Sequence, residues 1–139
     1  LLRRFLVPAV ALVLSLASIA KVAAADLDTI VRRGKLIVAV KDNLPPLGFV
    51  DEGGNLQGFE IDIAKAIAEA IFGDTKAIDL RPVKNSERLQ VVIDDRVDLA
   101  IARVTVTPAR SRVVDFSAFY YLDSTGFITL DPGVASRLN

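Results

Sequence analysis

Val104-Thr105-Val106-Thr107-Pro108-Ala109-Arg110 comes directly after the apolar run Asp98 to Ala102 and leads on to Asp115-Phe116-Ser117. The apolar run has the length and composition of a buried strand. Thr107-Pro108 then has the form of a helix start: Thr107 can cap free N–H groups, and Pro108 suits the first helical position because its missing N–H has no partner there. Arg110 falls in the first turn of that expected helix, where a cation is mildly unfavourable for the helix itself. A helix N-terminus attracts anions, and a guanidinium beside it adds a planar fork for a carboxylate. Thr105, at the strand's end, can offer a hydroxyl to the same anion. The plainer alternative pairs Arg110 with Asp115 or leaves it in solvent, where an ion pair is worth little.

Working outward, Leu36-Ile37-Val38-Ala39-Val40 is a five-residue apolar run rich in β-branched residues, which suits a strand buried on both faces of a parallel sheet. Ile78 to Val83 is a second such strand and Asp98 to Arg103 a third. Between the first two lies a helix opening at Gly58-Phe59-Glu60-Ile61-Asp62-Ile63 and running to Phe72, with Gly73 as its stop. Its expected inward stripe is Ile63, Ile67 and Ile71, widened by Phe59, Ala66 and Ala70. Glu60 and Asp62 are first-turn acids of the kind the helix dipole favours. Asn85-Ser86 can cap another helix from Glu87 to Ile93, with Leu89, Val92 and Ile93 inward.

A short helix is expected over Leu27 to Arg33, ended by Gly34, and a small hairpin around Asp51 to Asn55. Tyr120-Tyr121 and Phe127 to Leu130 suggest extended chain, and Asp131 to Asn139 a linker. Alternating strands and helices at this spacing imply an α/β fold with a βαβαβ parallel sheet and right-handed crossovers. Ligands of such sheets bind beyond the strands' carboxyl ends. The segments leaving those ends are Lys41 to Leu44, Lys84 to Ser86 and Arg103 to Arg110.

The 139 residues include no Cys, His, Met or Trp. That inventory excludes the usual zinc sites and Cys/His or Ser/His/Asp catalysis. No metal, no cofactor and no enzymatic activity is expected. Arg3-Arg4, the apolar run Phe5 to Ala20 and Ala23-Ala24-Ala25 have the layout of a secretory signal peptide, cleaved after Ala25; a membrane anchor is the alternative. Removing Arg3, Arg4 and Lys21 from the seventeen basic residues leaves fourteen against seventeen acidic ones. With no basic block, nucleic acid is not an expected partner.

The order of Gly34-Lys35-Leu36, Pro45-Pro46, Gly58 to Ala64, Val97-Asp98-Leu99, Thr105 to Arg110 and Val114 to Ser117 resembles the family 3 extracellular solute-binding proteins. These are periplasmic polar amino-acid receptors of ABC transporters, and the resemblance covers Leu27 to Leu130. It implies a type II periplasmic binding protein-like fold, of which residues 26–130 form lobe 1 and residues 131–139 begin the crossing to a second lobe that the chain lacks. It implies that Arg110 and Thr105 hold a ligand's α-carboxylate, that Lys41, Asp42 and Leu44 lie near its side chain, and that Asn85 and Arg103 also line the site. Relatives often carry an aromatic or large apolar residue at the position of Asn85, a small residue at that of Arg103 and Gly at that of Asp95. The implied partners are a free amino acid and a membrane permease; the implied state is an extracytoplasmic monomer. One lobe alone would leave its ligand half exposed and bind it weakly. Two other readings share the fold: a dehydratase of prephenate-like or arogenate-like acids, and the sensing module of a larger membrane protein.

Overall fold

The structure, a computed structural model, describes residues 26–123 and 130–137. The leader of residues 1–25 and the extended segment expected over Phe127 to Thr129 lie outside the described residues. The chain divides into two compact units, Leu1–Ala102 and Arg103–Asn139.

In the first unit, helix α1 (Leu27–Arg33) begins at Asp26, whose carboxylate accepts from the Thr29 N–H, and ends at Gly34 in the left-handed conformation. Strand β1 (Leu36–Val40) comes next. Three short strands succeed it, β2 (Asn43–Leu44), β3 (Gly48–Val50) and β4 (Leu56–Gln57), forming an antiparallel sheet in the order β2-β3-β4. The hairpin is legible from its turn residues; β2 is not, because two residues beside two prolines carry no periodicity. At the hairpin's tip the Asn55 backbone N–H donates to Asp51 Oδ1 at 2.8 Å. That bond, reinforced by the Asn55 side chain, holds the Asp51 carboxyl below its ordinary range.

Helix α2 (Phe59–Phe72) is capped at both ends by glycine. Its leading N–H groups have backbone partners: Phe59 donates to Pro46 O and Glu60 to Leu47 O, at 3.1 and 2.8 Å. This close approach requires Gly58. Its φ is +121°, and a Cβ there would lie 2.4 Å from Leu47 O. The helix turns Ile61, Ala64 and Ala68 fully inward, with Ile63, Ile67 and Ile71 packed at the edge of the core. The expected stripe is therefore rotated. The two alanines let the helix come close to the sheet, while Phe59, Ala66 and Ala70 are exposed. Glu60 is fully buried and Asp62 is exposed, so the dipole argument covers only part of what Glu60 does.

Strands β5 (Ile78–Pro82) and β6 (Leu99–Ile101) flank β1 in the order β5-β1-β6, both parallel to it. The expected βαβαβ sheet is present, with its outer strands one to three residues shorter than predicted. Leu36, Val38 and Val40 pack with α2 in one apolar cluster. Ala39 packs on the other face with Val83, Val91 and Val97. Alternate residues of β1 thus serve two cores, as a strand's period of two requires. Asp98, just before β6, has a buried side chain. Its carboxylate accepts from the Arg33 guanidinium and, at 2.7 Å, from the Ile37 N–H.

The helix expected from Glu87 is shorter than predicted. Residues 85–89 form turns, and α3 (Gln90–Ile93) is a single helical turn. Asn85 and Ser86 do not cap it. Glu87 folds back instead, its Oε2 accepting from the Lys84 N–H at 3.1 Å. Val91 is the buried residue of α3, and Ile93 is exposed. Asp95 closes the turn after α3 with a φ of +53°.

In the second unit, Thr107 does accept from the Arg110 N–H through its hydroxyl, at 3.3 Å. Beyond that cap the chain makes only a 3-10 turn, Arg110–Arg112, closed by Val113 and Val114 donating to Arg110 O. Tyr120 and Tyr121 lie in no strand. The tail expected as linker carries a four-residue helix, α4 (Pro132–Ala135).

This packing sets the outcome of two stability measurements. Ile61→Ala removes a fully buried side chain between α2 and β1 and should cost about 2–5 kcal/mol in urea denaturation. Asp95→Gly relieves a left-handed L-residue, a conformation that costs about 1–2 kcal/mol, and should raise stability by up to about 1 kcal/mol.

Candidate functional site

In the first unit the chain leaves all three parallel strands at one end of the sheet, and two long cationic side chains tie those exits together. Lys41, directly after β1, is only 5% exposed, and its Nζ donates to Val83 O just past β5 at 2.7 Å. Arg88 donates from Nε to Asn85 O at 3.1 Å and from Nη1 to Ala102 O, just past β6, at 2.8 Å. The carbonyls past the strand ends lack a ladder partner, and buried carbonyls need a donor. Lys41 and Arg88 supply one. Arg88 does not stand out in the sequence, where an Arg in a polar stretch carries no distinguishing signal.

The remaining first-unit candidates sit on the same loops. Asp42 is half-buried and its carbonyl accepts from the Val50 N–H at 3.0 Å. Leu44, in β2, is half-buried, and its carbonyl accepts from the Leu47 N–H at 2.8 Å. Asn85 is exposed. Lys41, placed by the resemblance near a ligand's side chain, has its ammonium on Val83 O and so also holds two strand exits together.

In the second unit, Arg110 is half-buried and its Nη1 donates to Thr105 O at 2.7 Å. The two residues expected to share a ligand anion are thus in direct contact through the Thr105 carbonyl. Among the described residues Arg110 has no ion pair, so the pairing with Asp115 is not formed. Because the helix is a single 3-10 turn, Arg110 stands in its first and last turn alike. The expected dipole penalty on a first-turn cation therefore does not apply. Arg103 has a φ of +49°, the region open at no cost only to glycine. Its Nη2 donates to Asp123 Oδ2 at 2.6 Å, with both side chains 50% exposed. Asp123 is another residue that the sequence does not flag. A separation of twenty positions along the chain hides the pair.

Among the described residues no helix is long and apolar enough to cross a membrane.

These features meet a set of known proteins. The model of the bacterial extracellular solute-binding proteins, family 3, matches residues 36–133. The glutamine-binding protein of Geobacillus stearothermophilus is 40% identical over 97 residues, which are 69% of this chain and 37% of that protein. A mutant of the arginine-bound form of domain 1 from TmArgBP superposes with a TM-score of 0.64 at 33% identity, over 69% of this chain and 72% of that one. An ancestral cyclohexadienyl dehydratase shares the fold with a TM-score of 0.63 at 34% identity, over 72% of this chain and 40% of that one. The chain spans about a third of the length of the curated relatives it matches. Its parallel α/β sheet is that of one lobe of the type II periplasmic binding proteins. With the family model covering most of its length, the chain belongs to the bacterial extracellular solute-binding proteins, family 3.

Proposed function

We propose that the protein captures a free amino acid outside the cytoplasmic membrane and passes it to an ABC transporter permease. The observation that carries this reading is Arg110: a half-buried guanidinium bonded to a backbone carbonyl, with no carboxylate counter-ion among the described residues. A guanidinium has five N–H donors in a fixed fork, and one carbonyl leaves room for a bidentate carboxylate. Arg110 takes the ligand's α-carboxylate, and the Thr105 hydroxyl adds a further donor. Lys41, Asp42, Leu44, Asn85 and Arg103 shape the preference for one side chain over another.

The relatives' names support an amino-acid ligand and differ on which one: glutamine, cystine, cysteine and arginine all occur. Delivery to a permease rests on relatives named as amino-acid ABC transporter-binding proteins. The leader of residues 1–25 would carry the chain across the membrane, with cleavage after Ala25, and the protein works as a monomer. Residues 26–130 act as the first ligand-binding lobe.

An enzyme is the second reading, favoured by the likeness to an ancestral cyclohexadienyl dehydratase. An assay of the full chain for aromatic product from prephenate-like or arogenate-like acids separates the two.

Titration calorimetry on the full chain with a panel of amino acids tests the main reading. Arg110→Ala should weaken every ligand by at least about tenfold to a hundredfold, the worth of hydrogen bonds to a charged group. Unchanged affinity would falsify the assignment. Leu44→Ala or Asn85→Ala should reorder the panel without abolishing binding; a uniform loss across the panel would remove them from the selecting set.

A further inference from the structure

Arg103 and Asp123 form an ion pair in the segment that also carries Thr105 and Arg110. Two residues of chain reach at most ~7 Å, so Arg103 stands close to the Thr105 carbonyl on which the Arg110 guanidinium rests. The second unit therefore offers two guanidinium groups of different character. Arg110 has no ion pair among the described residues, and Arg103 is matched by a carboxylate 2.6 Å away. Arg103 also occupies a φ of +49°, where glycine would sit without strain.

We infer that the Arg103–Asp123 pair is a selectivity element for an amino acid whose side chain ends in a carboxamide. This inference rests on the reading of Arg110 as the carboxylate site. The pair carries no net charge, so a ligand carboxylate meets Asp123 as well as Arg103. A ligand cation meets Arg103 as well as Asp123. Either brings like charges together. A carboxamide carries an acceptor oxygen and N–H donors on one planar group. It gives the oxygen to Arg103 and an N–H to Asp123 without placing a new charge beside either. Each partner is half exposed, so the pair adds little to stability and both side chains remain accessible from solvent.

The two partners predict opposite changes in selectivity, which a purely structural ion pair would not produce. The test is titration calorimetry of the full chain with L-glutamine, L-glutamate and L-arginine. The wild type should prefer glutamine to both. Asp123→Ala takes the carboxylate away from Arg103 and should raise glutamate relative to glutamine by about tenfold. Arg103→Gly keeps a residue suited to the left-handed backbone, takes the guanidinium away from Asp123, and should raise arginine relative to glutamine by a similar factor. Wild-type preference for glutamate or arginine, or ratios unmoved in both variants while Arg110→Ala abolishes binding, overturns the inference and leaves the proposed function standing. No binding of any of the three by the wild type, or intact binding in Arg110→Ala, overturns the carboxylate site itself and this inference with it.

Discussion

Strand β1 is hydrogen-bonded on both edges by parallel neighbours and packed by apolar side chains on both faces. The rest of the first unit is built on that constraint. A strand with no free edge and no solvent face must be apolar throughout, and Leu36 to Val40 is. Parallel neighbours oblige each connection to return across the sheet, which places α2 in the crossover that ends at β5 and α3 in the one that ends at β6. The same geometry sends every strand exit to one end of the sheet. The buried Asp98 carboxylate fastens the opposite end, binding the last turn of α1 and the Ile37 N–H.

At the exit end, hydrogen-bond completion governs what the cations do. The backbone past a strand's end has left the ladder, and its carbonyls need donors. Lys41 answers Val83, Arg88 answers Asn85 and Ala102, and in the second unit Arg110 answers Thr105. Their long apolar stems let each charged group reach a distant carbonyl. A Lys or Arg near a strand exit can therefore hold the loop, meet a ligand, or do both. Arg110 retains the larger capacity for an anion, because a guanidinium with one carbonyl partner has more donors than that partner uses.

Two left-handed residues show how a departure from the family pattern becomes a physical cost. Asp95 and Arg103 stand where the resemblance leads one to expect Gly and a small residue, and both adopt positive φ. At Asp95 the turn explains the glycine preference completely. At Arg103 the same backbone carries a long cation paired with a carboxylate twenty residues away.

Patterns confined to one element were decidable from the amino-acid order alone. The three apolar runs identified the parallel strands, Gly34 and Gly73 marked helix ends, and the Thr107 hydroxyl cap formed as its position implied. Each of these depends on a periodicity or a local backbone preference, which a short window of residues carries in full. The tertiary structure decided what depends on partners distant in the chain. It rotated the inward face of α2 to Ile61, Ala64 and Ala68, where the two alanines let the helix come close to the sheet. It cut the expected helices after Glu87 and Thr107 to single turns. It also set Lys41 on Val83 and Arg103 on Asp123, since a flexible cationic side chain has no preferred acceptor until the fold brings one within reach.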